Sequence, residues 1–178
     1  MIQAIRTKYN NIYFRSRLEA RWAVFMDELG VKWIYEPEGF TDGKICYLPD
    51  FYLPELNTYL EIKPITPLKE EEEKCELLTK ITGCPVVCMF GQPIDYLRED
   101  TNGGFLYNYF SHSEYGYNWT WDNYQRFCVC MNCGKTGIEY ENRADRLLCK
   151  CEKKDGRYDV NLREKLNYCY FIAQNYSF

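Results

Sequence analysis

The stretch YLPDFYLPELNTYLEIKP, residues 47 to 64, combines two β-rich runs with a turn-like cluster, PELN, between them. This arrangement predicts a β-hairpin. Residues two apart on a strand share a face, so Glu61 and Lys63 are expected to point the same way. If the turn closes an antiparallel hairpin, Asp50 lies across from them. Two carboxylates and one amine then converge at one edge of a sheet.

This set of groups matches the chemistry of phosphodiester hydrolysis. Carboxylates hold a divalent ion such as Mg²⁺, which polarises a phosphoryl oxygen and lowers the pKa of a bound water. Asp50 and Glu61 can share one ion, with the backbone carbonyl of Ile62 as a third ligand. Lys63 can position the water or offset charge in the transition state. The competing interpretation is an exposed, salt-bridged cross-strand cluster.

The segments around the hairpin predict helices and further strands. Between Arg15 and Leu29, apolar residues recur at helical spacing, and Gly30 is expected to end this first helix. The apolar residues are Leu18, Trp22, Phe25, Met26 and Leu29. The run VKWIYEPEGF, residues 31–40, predicts a strand interrupted at Pro37. Thr66 and Pro67 predict the N-cap and first residue of a second helix that ends at Gly83. The run CPVVCMF, residues 84–90, predicts a strand buried on both faces.

The predicted order is therefore α-β-β-β-α-β, an α/β fold with a mixed sheet flanked by helices. In this order, PD at residues 49–50 followed by EIK at 61–63 resembles the PD-(D/E)xK nuclease superfamily. The resemblance covers residues 12–92, including RSRLEARWAVF (15–25) and GCPVVCMFGQP (83–93). These segments closely resemble a group of small phage and bacterial proteins of that superfamily. It implies a restriction-endonuclease-like core that cleaves nucleic acid, with DNA as the expected substrate.

The resemblance also assigns roles to individual residues. Asp50 and Glu61 correspond to ligands of a catalytic Mg²⁺ or Mn²⁺, and Lys63 corresponds to the catalytic lysine. Glu19 matches an acidic residue that many members contribute as a further ligand or as a water-orienting group. The alternative for Glu19 is a helix-surface glutamate paired with Arg15. Arg15, Arg17 and Arg21 could meet phosphates, or could be solvated helix charges.

A second constellation is FCVCMNCGKTGIEYENRADRLLCKC, residues 127–151. Cys130 and Cys133 form a CxxC followed by a glycine, and Cys149 and Cys151 form a CxC pair after fifteen intervening residues. Four thiolates suit tetrahedral Zn²⁺ in a structural site, with Cys128 as a possible replacement for one ligand. Free or redox-active cysteines and an iron–sulfur cluster are the alternatives. The five remaining cysteines are predicted to lie in the core: Cys46, Cys75, Cys84, Cys88 and Cys169.

Residues 128–178 hold nine basic and seven acidic residues in a chain whose net charge is −4. This segment could grip a phosphate backbone beside the nuclease core, or could be only a structural staple. The candidate nucleic-acid contacts are Arg15, Arg17, Lys135, Arg143, Arg146 and Lys150. His112 is expected to be incidental, and Trp119 and Trp121 to pack rather than to stack on bases.

Three regions are predicted: a nuclease core (1–95), an aromatic-rich connection packed on it (96–127), and a zinc-ribbon-like subdomain with a terminal helix (128–178). The periodicity of Leu162 and Leu166 predicts the terminal helix. The sequence shows no export signal and no apolar run long enough to span a membrane. With ten cysteines taken as reduced thiols or ligands, the expected location is the cytoplasm of a bacterium or a phage-infected host.

The function predicted from these features is a metal-dependent nuclease that acts on DNA with a Mg²⁺-activated water. Endonuclease and exonuclease activity are both compatible with the sequence, and so are several oligomeric states. The rival interpretation is a non-catalytic module that binds nucleic acid or protein, such as a phage counter-defence or regulatory factor. A redox or metal-sensing protein is a third possibility, but it leaves the acidic hairpin unexplained.

Overall fold

The computed structural model describes residues 4–94, 103–107, 125–140, 147, 149, 151 and 162–178, with only the backbone for 103–107 and for residue 140. The helices in these ranges are α1 (Arg17–Leu29), α2 (Lys69–Thr82) and α3 (Arg163–Asn175). The strands are β1 (Thr7–Tyr9), β2 (Ile12–Phe14), β3 (Ile34–Tyr35), β4 (Phe40–Thr41), β5 (Cys46–Tyr47), β6 (Phe51–Leu53), β7 (Thr58–Lys63), β8 (Val86–Phe90), β9 (Gly103–Tyr107), β10 (Gln125–Val129) and β11 (Thr136–Tyr140). The predicted mixed α/β character is confirmed.

A five-stranded mixed sheet in the order β3-β6-β7-β8-β9 carries the acidic hairpin. Neighbouring strands are antiparallel except for β7 and β8, which are parallel and are connected through α2. Parallel neighbours need a crossover of this kind, because a tight turn cannot join them. All five residues of β8 are buried, as the apolar run predicts.

The predicted hairpin is formed by β6 and β7. These strands pair antiparallel, with Phe51 opposite Leu60 and Leu53 opposite Thr58. Residues 54–57 make the turn, and Asn57 adopts a left-handed backbone with φ of 49°. Asparagine tolerates this conformation better than most residues, which explains its place in the turn.

The strand predicted over residues 31–40 is only partly correct. Two residues, Ile34 and Tyr35, pair with β6, and the chain then leaves the sheet. Glu36 has a φ of +46°, which turns the backbone away from the strand direction, and Pro37 cannot donate to a ladder. Phe40 and Thr41 pair instead with Cys46 and Tyr47 in a separate two-stranded ribbon, β4–β5.

Helix α1 begins and ends close to where the sequence predicts. Ser16 is its N-cap, and the Ser16 side chain accepts a hydrogen bond from the backbone N–H of Glu19. Gly30 ends the helix with a φ of 79°, a conformation in which a side chain would be strained. Most of the helix between these residues is buried, so α1 is held in the core rather than at the surface.

Helix α2 begins two residues later than the predicted start at Pro67. Its N-cap is Leu68 rather than Thr66, and the Leu68 side chain cannot accept a capping hydrogen bond. The carboxylate of Glu71 instead accepts a hydrogen bond from the Leu68 backbone N–H at 2.8 Å. Side-chain capping from within the first turn therefore replaces the predicted threonine cap. Gly83 ends the helix as predicted, with a φ of 69°.

The main core joins α1 to α3 and β10. The Phe25 ring stacks on the Tyr170 ring at 4.6 Å between centroids and meets the Phe127 ring edge-on at 5.2 Å. All three side chains are buried. The strand that leads into the cysteine segment is thus anchored on the helix that carries Glu19. The boundaries at residues 95 and 127 stay predictions.

Two further elements lie at the ends of the described chain. The hairpin β1–β2 precedes α1 and was not predicted; its last residue, Phe14, is fully buried. Helix α3 is the predicted terminal helix, and its residues Leu166 and Cys169 are buried. Within the described ranges, no helix has the length and apolar character needed to cross a bilayer.

Candidate active site

Asp50 and Glu61 are held in position by hydrogen bonds that cross the β6–β7 hairpin in both directions. The backbone N–H of Ile62 donates to Asp50 Oδ2 at 2.7 Å. The backbone N–H of Asp50 donates in return to Glu61 Oε2 at 3.3 Å. Each carboxylate is therefore positioned by the strand opposite its own, and both are buried. The expectation that Asp50 lies across the hairpin from Glu61 is confirmed.

Lys63 lies on the same face of β7 as Glu61, as predicted. Its Nζ is 2.6 Å from Glu61 Oε1 and 3.5 Å from a carboxylate oxygen of Glu71 at the start of α2. Burial acts to lower the pKa of Lys63, but the charge and hydrogen bond of Glu61 outweigh it and raise the pKa above its ordinary value. Lys63 is therefore a fixed cation at neutral pH.

A buried tyrosine completes the surroundings of Glu61. The hydroxyl of Tyr47, in β5, donates to Glu61 Oε2 at 2.6 Å. Burial, followed by the charge of Glu61, raises the pKa of Tyr47 well above its usual range, so this residue remains a hydrogen-bond donor. Sequence reasoning missed this partner. The signal available was a tyrosine three residues before Asp50 in an otherwise extended segment.

Glu19 is buried rather than exposed to solvent, and its charge acts on Asp50. Ser16 Oγ donates to Glu19 Oε1 at 2.6 Å, and the Tyr35 hydroxyl donates to Oε2 at 2.6 Å. The alternative in which Glu19 is a surface glutamate is wrong, because a solvated side chain would not be enclosed in this way. Burial and the bond to Glu19 raise the pKa of Tyr35 above its ordinary value.

Arg15 contacts the candidate site through Asp50. Its Nη2 donates to Asp50 Oδ1 at 2.5 Å, and its Nε donates to a carboxylate oxygen of Glu36 at 2.8 Å. Arg17 is exposed at the start of α1. Arg21 is used differently from the prediction, since its guanidinium caps the carbonyl oxygens of Ala173 and Gln174 at the end of α3. Arg21 is thereby a structural residue.

The acidic residues at this site carry a concentrated negative charge. Burial, then repulsion from Glu61 and Glu19, raises the pKa of Asp50 well above its ordinary value. Carboxylate oxygens are the ligands that Mg²⁺ and Mn²⁺ prefer, so the donor chemistry of Asp50, Glu61 and Glu19 fits such an ion. Their oxygens do not, as they stand, form a group of three close enough to hold one ion. Binding by all three would require at least one side chain to move.

Four cysteines form the candidate metal centre: Cys130, Cys133, Cys149 and Cys151. Their Sγ atoms all lie within 4.8 Å of one another, and this is the only such group of His, Cys, Asp or Glu ligands among the described residues. A metal such as zinc could be bound there, as the spacing predicts. Cys128 lies outside the group, with its Sγ 3.7 Å from the Gly137 carbonyl oxygen.

The turn between β10 and β11 orients the thiols of Cys130 and Cys133. The backbone N–H of Gly134 donates to the Cys130 carbonyl at 2.8 Å, and the N–H of Cys130 donates to the Lys135 carbonyl at 2.8 Å. Gly134 has a φ of 72°, which a side chain would disfavour. Burial acts to raise the pKa of Cys130, but hydrogen bonds from the backbone of Cys133 and Asn132 lower it to about 7. The thiolate of Cys130, the form that binds metal, is thus more populated at neutral pH than that of an ordinary cysteine.

The remaining predicted residues have mixed outcomes. Cys75, Cys88 and Cys169 are buried as predicted, whereas Cys46 is exposed at the end of the β4–β5 ribbon and Cys84 is half-buried. Adjacent residues on a strand point to opposite faces, so Cys46 faces away from the side on which Tyr47 is buried. Lys135 is exposed. The other predicted residues lie outside the described ranges: Arg143, Arg146, Lys150, His112, Trp119 and Trp121.

No protein-family model, curated protein or solved structure matches this chain.

Proposed function

We propose that this protein is a metal-dependent nuclease that hydrolyses phosphodiester bonds, with DNA as its substrate. The observation that carries the proposal is the set formed by Asp50, Glu61 and Lys63. Two buried carboxylates are fixed by hydrogen bonds across one hairpin, and a lysine is fixed beside them on the same face. Glu19 adds a third buried carboxylate from α1. The set agrees with the resemblance of this hairpin to PD-(D/E)xK nucleases.

Asp50, Glu61 and Glu19 would hold a divalent ion such as Mg²⁺ or Mn²⁺, whose chemistry is to polarise a phosphoryl oxygen and to acidify a bound water. Lys63 would bind the phosphate and stabilise the charge that develops on it, because its raised pKa keeps it protonated. It is thereby unsuited to act as a general base. Tyr47 would hold the carboxylate of Glu61 in a fixed orientation.

The second candidate is a module that binds nucleic acid without cleaving it. Two observations favour it: Asp50 is already paired with Arg15, and the three carboxylates are not assembled around one point. A binding module has no need of a lysine held beside a buried glutamate, however. The fixed Glu61–Lys63 pair therefore favours the nuclease.

The test is a cleavage panel of circular and linear duplex DNA, single-stranded DNA and RNA, with Mg²⁺ or Mn²⁺. Glu61→Gln and Lys63→Met are each expected to lower the cleavage rate by about 100-fold or more. Matched controls are Glu55→Gln, in the turn of the same hairpin, and Lys80→Met, on exposed α2 surface. Equal cleavage by Glu61→Gln and wild type would refute this carboxylate set as the active site, and absence of cleavage by the wild type on every substrate would refute the nuclease. Binding without metal-dependent cleavage by the wild type would establish the second candidate.

We propose in addition that the four-cysteine centre holds a structural Zn²⁺ rather than an iron–sulfur cluster. Support comes from the glycine-containing turn that aims Cys130 and Cys133, and from the packing of β10 on the core. A colourless protein that contains one zinc ion per chain is the expected result of metal analysis. A brown protein that contains iron would contradict it.

A further inference from the structure

Arg15 links the surface of the protein to Asp50, the most buried acidic residue in the ranges that the structure describes. The Arg15 side chain is 52% exposed, whereas the Asp50 side chain is 4% exposed. The guanidinium bridges two acids: Nη2 donates to Asp50, and Nε donates to Glu36. Because about half of the Arg15 side chain is in contact with solvent, its guanidinium can be rehydrated when it leaves Asp50, provided that another cation then neutralises the buried carboxylate.

Arg15 contacts Asp50 Oδ1, whereas the hairpin backbone contacts the other carboxylate oxygen, Oδ2. Oδ2 accepts the N–H of Ile62 at 2.7 Å, which ties that oxygen to β7. Oδ1 accepts Arg15 at 2.5 Å. A divalent cation that binds Asp50 through Oδ1 would meet the guanidinium at close range in a site with little solvent. Two cations repel strongly under such conditions.

We infer that Arg15 is a displaceable counterion, which neutralises Asp50 while no divalent ion is bound and leaves Oδ1 when one binds. This inference rests on the proposed function, since it requires a metal at Asp50. It adds a step that the function alone does not imply: metal binding has to compete with an internal cation. The carboxylates then assemble around the ion only after Arg15 has moved.

Glu36 is the residue that would retain Arg15 after its release. The Glu36 backbone N–H donates to the Asp50 carbonyl oxygen at 2.9 Å, so Glu36 is fixed beside the site. Its φ of +46° is a strained conformation for a residue with a side chain, and strain of this kind is frequently retained at functional sites. The bond from Arg15 Nε to Glu36 can persist while Nη2 leaves Asp50. The released guanidinium then remains at the mouth of the site.

The test measures Mn²⁺ binding by calorimetry on the full-length, zinc-loaded protein. The set comprises wild type, Arg15→Gln, Arg17→Gln and Glu61→Gln, each checked by circular dichroism. Arg15→Gln is expected to bind Mn²⁺ about tenfold more tightly than wild type, because the competing charge is gone. Arg17→Gln, which removes a neighbouring exposed arginine, is the matched control and should bind like wild type. Glu61→Gln should bind much more weakly.

The outcomes separate the inference from the function on which it rests. Equal or weaker Mn²⁺ binding by Arg15→Gln, with binding that still depends on Glu61, overturns the inference and leaves the nuclease standing. If wild type and Glu61→Gln bind Mn²⁺ alike, the carboxylates are not the metal site. Both the proposed function and the inference then fail.

A second measurement is a titration of the wild-type protein, with one variant used only to assign the signals. In ¹⁵N-resolved spectra, the Nη–H signals of Arg15, whose Nη2 is bonded to Asp50, should shift when Ca²⁺ is added, and the signals of Arg17 should not. Arg15→Lys identifies the signals by their absence. An Arg15 signal that stays in place while Ca²⁺ binding is detected by calorimetry would show that the arginine does not move, which overturns the inference.

Discussion

Asp50 and Glu61 each accept a hydrogen bond from the backbone of the opposite strand, so neither carboxylate depends on a flexible partner for its position. In the absence of a bound ion, the burial of these charged carboxylates costs folding free energy. Three carboxylates are buried near one another, and the charges of Glu61 and Glu19 add to the burial of Asp50. Binding and catalytic sites commonly retain such unfavourable charge, because a ligand offsets it.

The prediction at this scale is that Asp50→Asn stabilises the protein in magnesium-free buffer. A raised pKa means that the ionised form of Asp50 costs free energy in the fold, and asparagine carries no charge. We expect the free energy of unfolding to rise by about 1 kcal/mol at neutral pH, while cleavage is lost. The gain should shrink as the pH falls and disappear below the ordinary aspartate pKa, where Asp50 is protonated in the folded and the unfolded chain.

Urea denaturation at several pH values measures this effect. Glu55→Gln, which removes an exposed acid from the same hairpin, is the control and should change stability little. A loss of stability in Asp50→Asn at neutral pH would show instead that the contacts with Arg15 and Ile62 outweigh the repulsion.

At the scale of elements, helix α1 and the β6–β7 hairpin bring the site together. Ser16 caps the helix and bonds to Glu19, so the start of α1 also orients the third carboxylate. At the other end, Gly30 donates its N–H to the Asp27 and Met26 carbonyls from a left-handed conformation. Both ends of the helix are therefore defined by local chemistry that the sequence displays.

The prediction at this scale concerns the C-terminal stop of α1. Gly30→Ala should lower the free energy of unfolding by about 1 kcal/mol, because alanine is disfavoured at a φ of 79° although no atom crowds the position. Gly39→Ala is the matched control: its φ is not in the left-handed region, and a methyl group there would lie 3.9 Å from the Tyr47 carbonyl oxygen. Chemical denaturation of both variants gives the comparison. Equal stability of the two would contradict the role of backbone strain at Gly30.

For the whole molecule, the cysteine centre and the acidic site share one core. Phe127 and Val129 of β10 lie in the same buried cluster as α1, α3 and the central strands. The candidate metal centre begins one residue after Val129, at Cys130. A metal bound there would therefore also stabilise β10, which packs in the main core.

The prediction at this scale is that Cys133→Ser weakens the whole protein, not only its metal site. Loss of one ligand should lower the zinc content and reduce the melting temperature by roughly 5 °C, within a single cooperative transition. Cys46→Ser, which removes an exposed cysteine distant in sequence from the centre, is the control and should leave both quantities unchanged. Two separate transitions in Cys133→Ser would show that the cysteine segment folds independently. Calorimetry with metal analysis decides between these results.

The sequence alone determined the hairpin of Asp50, Glu61 and Lys63, the presence of α1 and β8 with their ends at Gly30 and Gly91, and the four cysteines that form one group. These features depend on turn chemistry, on side-chain periodicity and on short ligand spacing, all of which act over neighbouring residues. The restriction-endonuclease-like core and its activity stay predictions. Only the tertiary structure decided that Arg15 pairs with Asp50, that Tyr47 and Tyr35 hold the acids, and that Arg21 caps α3. These partners are chosen by packing between distant segments, and no local pattern in a single sequence encodes that choice.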